Sequence, residues 1–282
     1  SIRWRARAAW GGQAQGQSQL LILATELEHC FTTGRFEDSL AALERLQEAA
    51  KATGAEPFTG LAHFYFGANH HYLGNLQLSE TGFAQVRAWL TPEQRAKLRG
   101  LIGLDVEVVG LAISARNLWL LGYPEQALAR SRQALASAAV TGAVLGQAGA
   151  VALGAGLLCC LRHDEPGMAE LSEECYRLSQ KHGLIMWAVY SEVLRGRVQF
   201  GRGEHLAGIE HMWGVGWQHG NVATETDFFA TMVADSCLAA LRQRAPAAGA
   251  ISPTERSRLL TIGQGAIDSM LGGPECDVVG FM

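Results

Sequence analysis

The sequence predicts an all-α protein in which five to six helical hairpins stack as an α-solenoid, and two observations support this class. The first is one hairpin, written in the stretch from Asn117 to Leu135. There an apolar helix end reaches Gly122, which suits a left-handed helix end, and Pro124 follows, which suits a first helical turn. The second observation is that this hairpin recurs at a period of about 40 residues, which is typical of solenoids.

Each copy of the hairpin has a turn glycine and, five residues later, a small residue. The pairs are Gly34 and Ser39, Gly74 and Ser79, Gly122 and Ala127, and Gly203 and Gly208. In one weaker copy Asp164 takes the place of the glycine and Ala169 that of the small residue. Packed helices lie about 8–10 Å apart, which leaves no room for a large side chain where they are closest. We therefore expect the small residues to lie where the two helices cross.

Apolar periodicity and turn residues divide residues 19–271 into helix pairs. The predicted pairs are 19–33 with 37–53, 59–73 with 76–90, 106–121 with 124–139, 147–161 with 166–182, 184–200 with 204–219, and 224–242 with 253–271. Residues 91–105 form an insertion, in which Thr91, Pro92 and Glu93 predict an extra helix before a loop through Gly100 and Gly103. Residues 1–18 are predicted to be a basic arm and flexible linker, and residues 272–282 a mobile tail.

The hairpins resemble tetratricopeptide (TPR) repeats in a longer, degenerate form. More closely, the run from Leu118 to Leu135 is similar to the helical repeat region of large bacterial STAND-type regulators. Further similar features are Leu194-Arg195-Gly196 before Gly203, and Gly183-Leu184 before Trp187. Such regulators join an ATP-binding module to repeats, and some carry a nucleotide cyclase or DNA-binding domain. The resemblance extends over roughly Leu20 to Leu241, and we expect a right-handed superhelix.

Composition and the first residues of the chain bear on its partners and its cellular compartment. The net charge of −4 shows no nucleic-acid footprint for the chain as a whole. The basic start from Ile2 to Trp10 fits a nucleic-acid or membrane arm, although the end of a preceding helix is the better interpretation. Six cysteines without a C-x-x-C pair, and no signal peptide, predict reduced thiols in the cytoplasm. Because the chain starts at Ser1 and not at a methionine, we expect it to be either a segment of a longer protein or a processed chain.

The stretch from Ala143 to Leu161 is 19 uncharged residues long, near the length that crosses a bilayer. It is rich in glycine and alanine, which contribute little to the free energy of membrane insertion. It also falls where the repeat period requires an inner helix. We therefore expect a buried helix and no membrane partner, since an interior helix can be apolar on all sides.

No pattern in the sequence carries recognisable catalytic or cofactor chemistry. The adjacent His70 and His71 would point about 100° apart on a helix, and His205 and His211 do not share a face. H-E-x-x-H, zinc-type Cys/His spacing, G-x-x-x-x-G-K-[ST] and G-x-S-x-G are absent from the sequence. We therefore expect this segment to have no metal, no cofactor and no catalytic residue.

The predicted binding surface is the concave side of the array, lined by the first helix of each hairpin. Counting back three and six residues from each turn glycine, and adding aromatic residues one or two turns earlier, gives a row of inward-facing side chains. The row consists of Glu28, Phe31, Phe64, His71, Arg116, Trp119, Tyr190, Arg197 and Phe200. Aromatic residues with arginine suit a peptide or an acidic group. The alternative, which the helical spacing favours, is that the aromatic residues form core between the hairpins.

These features predict a non-catalytic sensor or scaffold segment of a larger signalling or transcription-regulating ATPase. It would bind a protein, peptide or small-molecule effector in its concave groove, with no direct contact to nucleic acid. One alternative is a stand-alone all-α enzyme or effector with a pocket near residues 91–105. Another is a scaffold that self-associates through its apolar repeat faces.

Overall fold

The computed structural model describes residues 14–218, 223–242 and 251–271, and this part of the chain is helical with no β-strand. The all-α class is therefore confirmed. The chain divides into two compact units, Ser1–Arg162 and His163–Met282. The predicted basic arm and mobile tail lie largely or wholly outside the described residues.

The first unit contains eight helices among its described residues. They are α1 (Ala14–Thr32), α2 (Phe36–Thr53), α3 (Glu56–Tyr72), α4 (Leu76–Trp89), α5 (Pro92–Ile102), α6 (Val106–Leu120), α7 (Pro124–Thr141) and α8 (Val144–Arg162), of which Ala150–Gly156 is a π-helical stretch. The helix α1 begins inside the stretch expected to be linker, because Ala14 and Gln15 are good helix formers. In the insertion, Gly100 lies within α5, and only Gly103, with φ 77°, ends that helix.

The second unit contains five α-helices among its described residues. They are α9 (Glu165–His182), α10 (Ile185–Gly201), α11 (His205–Gln218), α12 (Thr226–Arg242) and α13 (Pro253–Met270), with a short 3₁₀ turn at Ala223–Glu225 before α12. Neighbouring helices along the chain pack against each other within this unit.

The turns between paired helices repeat one hydrogen-bond pattern. At Gly122 the glycine N–H donates to the Trp119 carbonyl (3.0 Å), and the next N–H donates to the Leu118 carbonyl (2.8 Å). The turns at Gly34, Gly74 and Gly203 make the same two bonds at equivalent residues. These bonds satisfy carbonyls that the helix end would otherwise leave without a donor.

The weaker turn differs from the prediction by one residue. His163, and not Asp164, occupies the left-handed position, with φ 55°. Asp164 instead caps α9, and its side chain accepts a hydrogen bond from the Gly167 N–H at 3.1 Å. The sequence misled here because aspartate both tolerates left-handed backbone and caps helices, and the cap is the stronger preference.

Small residues lie where paired helices approach most closely. Ser79 Oγ donates to the Gly67 carbonyl across the hairpin at 2.6 Å, and Ser39 makes the equivalent, longer bond to the Leu27 carbonyl. In the second unit a Cβ on Gly208 would lie 2.5 Å from the carbonyl oxygen of Gly196. The crossing therefore has room for a hydrogen, a methyl group or a hydroxymethyl group and little more.

Consecutive hairpins of the first unit stack on one another. The first helices pack in the order α1, α3, α6 and α8, and α4 packs against α6. Almost every residue of α6 is buried, whereas α7 buries one face. This difference follows from position, since a helix with neighbours on several sides has little surface left for solvent.

Candidate partner-binding surface

The first hairpin brings Glu28 and Phe31 together with rings from α2 and α3. Phe31 lies edge-on to Phe36, Tyr65 and Tyr72, at centroid distances of 5.9, 5.2 and 5.7 Å. Phe36 stacks on Tyr72 with its centroid 5.2 Å away. We call these four rings the aromatic cluster. Burial raises the pKa of Glu28, and burial followed by the Glu28 charge raises that of Tyr65.

His71 lies in a buried hydrogen-bond network between the second and third hairpins. Its Nδ1 lies 2.6 Å from Asn117 Oδ1, and Asn117 Nδ2 donates to Ser79 Oγ (2.8 Å) and Glu80 Oε1 (2.9 Å). Because the Asn117 amide nitrogen donates to those two groups, its oxygen accepts, so the imidazole proton is on Nδ1. Burial, and then the charge of Arg116, lower the pKa of His71 to about 3. His71 is therefore neutral at ordinary pH.

Glu80 extends this network toward the second helix of the third hairpin. Its Oε2 accepts a hydrogen bond from Ser114 Oγ at 2.8 Å, and Arg130 donates to the same hydroxyl at 3.3 Å. Arg116 itself is only 4% exposed. The polar side chains of the third hairpin thus join it to the second by directional bonds, besides apolar packing.

Two further row residues of the first unit differ in burial. Phe64 is buried against Tyr65 and Phe83, at centroid distances of 5.3 and 6.3 Å. Trp119 is half-buried and packs against a cluster formed by Ala115, Leu118, Ala127 and Leu158.

Three residues of the predicted row lie on α10 in the second unit. Tyr190 is buried between Trp187 and Phe229, with centroids 5.3 and 5.2 Å away. The guanidinium of Arg197 lies 4.9 Å from the centroid of Phe200, one turn along the same helix. Arg197 is half-buried, and its NH1 has no hydrogen-bond partner among the described residues.

The structure therefore separates the predicted row into two groups. Phe64, His71, Arg116, Tyr190 and Phe200 are buried, and they act in packing or in the network between hairpins. Glu28, Phe31, Trp119 and Arg197 are half-buried and keep a surface that a partner can reach. The core alternative thus describes the first group, and the binding surface stays a prediction for the second.

Sequence reasoning missed residues that complete the aromatic cluster and the hydrogen-bond network around His71. The sequence places Asn117 near a hairpin end, and an amide inside an apolar helix is itself a signal of a buried hydrogen-bond network. Tyr72 and Phe36 flank the turns, and only the packing of α1 and α2 on α3 brings them to Phe31.

The insertion, where the alternative enzyme pocket was expected, is held by ion pairs. Arg95 of α5 donates from Nε and NH2 to the Asp105 carboxylate at 2.8–3.0 Å, and it also contacts Glu107. Its NH2 donates to Ser137 Oγ of α7 at 2.8 Å as well. The Asp105 side chain is fully buried, so these contacts fasten α5 to α6 and α7.

Two features bear on metals and membranes. Within the described residues no group of three or more His, Cys, Asp or Glu side chains is placed to hold a metal ion. One helix, Val144–Arg162, is long and apolar enough to cross a membrane, but 72% of that stretch is buried inside the protein. A buried core helix passes the same test, so this observation is weak evidence for a membrane span.

Comparison of the chain with protein-family models, with curated proteins and with solved structures gives no match. The resemblance to TPR-like repeats of STAND-type regulators therefore stays a prediction from the residues quoted above.

Proposed function

We propose that this chain is a non-catalytic helical-repeat module that binds a partner along the surface formed by the first helices of its hairpins. The observation that carries the proposal is the recurrence of one hairpin, with the same turn bonds at Gly34, Gly74, Gly122 and Gly203. Repeated hairpins build an extended surface whose side chains can differ from one repeat to the next, and this is how solenoids bind partners.

The array would form a right-handed superhelix. Support comes from the first unit, where α1, α3, α6 and α8 pack in sequence and α1, α3 and α6 also pack against α2, α4 and α7. In that arrangement each hairpin buries its apolar face against its neighbours, so the module extends by addition.

The parent protein, by the resemblance, would be a signalling or transcription-regulating ATPase in which this module is the sensor or scaffold. A protein, peptide or small-molecule effector in the groove would shift the packing between hairpins and release an output domain. The bonds from Asn117 to His71, Ser79 and Glu80 support this mechanism. They join two hairpins at defined distances, so a shift in packing would break them as a set.

Binding to a purified partner tests the proposal. A partner found by crosslinking to the parent protein would be titrated by calorimetry against wild type, Trp119→Ala and Arg197→Ala. We expect each variant to weaken binding by about tenfold or more, as for an interface residue of ordinary importance. Arg132→Ala, which removes an exposed arginine from a second helix, is the control and should bind normally. Unchanged affinity for both groove variants would contradict the assigned surface.

Self-association is a second candidate, supported by the last described helix. Leu260, Ile267 and Leu271 share one side of α13 and its end, and they are 51%, 41% and 78% exposed. A second copy of the chain stacking on this face would cover them. Light scattering across a concentration series should then show a dimer in wild type and a monomer in Ile267→Glu. A wild-type chain that is monomeric at every concentration would exclude this candidate.

A further inference from the structure

Glu28 is a half-buried carboxylate that no cation compensates among the described residues. Burial is the cause that raises its pKa, and no described side chain forms an ion pair or a hydrogen bond with it. Glu26, two residues earlier on the same helix, shows the contrast, because Arg45 donates to its Oε1 at 2.7 Å. A carboxylate that loses water without gaining a partner destabilises the fold.

The aromatic cluster lies beside this carboxylate. Phe31 follows Glu28 by one helical turn, and the charge of Glu28 acts on Tyr65, which touches Phe31. Phe31, Phe36 and Tyr72 are each half-buried, so part of every ring remains accessible. Tyr72 and Phe36 stack nearly parallel, at 5°.

A half-buried carboxylate beside aromatic rings favours a weakly hydrated organic cation. Aromatic faces carry negative electrostatic potential and attract cations, most strongly where water is partly excluded. Small, strongly hydrated cations lose too much solvation in such a place, whereas a guanidinium or an alkylated ammonium loses less. A carboxylate beside the rings adds direct attraction, which is stronger in a half-buried site than in water.

We infer that Glu28, Phe31, Phe36 and Tyr72 form a subsite for a weakly hydrated organic cation. The cation is either an arginine side chain of a protein partner or a free quaternary ammonium compound. This subsite rests on the proposed function in that it names the chemistry recognised at the first hairpin. It also implies that Glu28 is kept at the expense of stability, as binding groups often are.

The test titrates the full chain by NMR with two probes, Nα-acetyl-arginine amide and tetramethylammonium chloride. Potassium chloride at the same ionic strength is the salt control. We expect saturable shifts of the aromatic-cluster resonances with at least one probe. Glu28→Gln should weaken that binding by about tenfold, the loss of one partly buried charge pair. Tyr72→Leu should weaken it by about threefold to tenfold, the loss of one cation–π contact.

Two matched controls separate the subsite from general charge and aromatic effects. Glu26→Gln removes an ion-paired carboxylate from the same helix, and Tyr123→Leu removes an aromatic ring that is 51% exposed at another turn. Both variants should bind the probes as wild type does. Binding by arginine amide alone identifies a protein side chain as the source of the cation, and binding by tetramethylammonium identifies a free compound.

Stability gives an independent readout. Because Glu28 is uncompensated, Glu28→Gln should unfold at the same temperature as wild type or a higher one. Shifts that potassium chloride reproduces, unchanged binding in Glu28→Gln, or a lower unfolding temperature in that variant would each overturn the subsite. A partner that binds through Trp119 and Arg197 and ignores Glu28→Gln would overturn the subsite and leave the proposed function standing. If Trp119→Ala and Arg197→Ala bind the partner as wild type does, while Glu28→Gln still weakens probe binding, the proposed function falls and the subsite stands.

Discussion

The close helix crossing at Gly208 in the second unit provides a direct test of the repeat geometry. A Cβ built on Gly208 would lie 2.5 Å from the Gly196 carbonyl oxygen and 2.6 Å from the Phe200 backbone nitrogen. Ordinary contacts of a Cβ begin at about 3.4 Å. The obstacles are backbone atoms of α10, so Gly208→Ala must push two helices apart and cannot simply rotate a side chain.

The magnitude follows from two opposing effects. Overpacking typically lowers the free energy of unfolding by about 1–3 kcal/mol, and a backbone obstacle places this case near 3 kcal/mol. Alanine gains about 1 kcal/mol over glycine from helix propensity. The net loss is therefore about 2 kcal/mol, which lowers the midpoint temperature by roughly 5 °C.

Gly214→Ala is the matched control, because Gly214 lies on the same helix and an added Cβ there meets nothing within 4 Å. This variant should gain up to about 1 kcal/mol from propensity alone. Urea and thermal unfolding, followed by circular dichroism, compare both variants with wild type. Equal stability of Gly208→Ala and Gly214→Ala would refute the crossing geometry.

Three further predictions concern the turn, the network and the insertion. His163→Gly should raise the free energy of unfolding by about 0.5–1 kcal/mol, since φ 55° strains any residue with a Cβ; a drop in stability, measured by urea unfolding, would contradict this. His71 has a pKa of about 3 in the folded chain and about 6.5 when unfolded, so stability should fall by up to about 4 kcal/mol as pH decreases from 6.5 to 3. A His71→Gln variant should show a flatter profile of stability against pH, and an unchanged profile would count against the buried neutral histidine. Arg95→Met should lower the free energy of unfolding by about 3 kcal/mol, because the buried Asp105 carboxylate loses its main ion-pair partner. The double variant Arg95→Met/Asp105→Leu should recover most of this loss, and equal losses in the single and the double variant would contradict the ion-pair account.

The helices were predictable because glycine and proline mark their ends. Gly122 with Pro124, and Thr91 with Pro92, specify backbone geometry through local sterics and local hydrogen bonds, which need no tertiary information. The start of α1 and the turn at His163 were less predictable. At His163 the backbone is left-handed, with φ 55°, a conformation that histidine adopts only at some cost.

The sequence predicts which side of a helix the candidate site residues face, but it does not predict how deeply each one is buried. Spacing shows that Arg116 and Trp119 face the same side of α6, but only packing shows that Arg116 is buried and Trp119 partly accessible. The hydrogen-bond partners of His71 could not be predicted either, because they too depend on the packing of helices. Asn117 is distant in sequence, and its bond to His71 arises when α6 stacks on α3.

Removal of one whole repeat tests the central claim, that the chain is an array of equivalent stacked hairpins. Deleting residues 35–74 joins Gly34 to Asn75. Asn75 follows Gly74 as Arg35 follows Gly34, and it makes the equivalent turn bond, so the shortened chain keeps its register. Deleting only residues 35–54 removes α2 and leaves α1 and α3 without the helix between them. Circular dichroism with urea unfolding should show that the larger deletion stays folded and cooperative while the smaller one loses helix. A folded smaller deletion, or an unfolded larger one, would contradict the account.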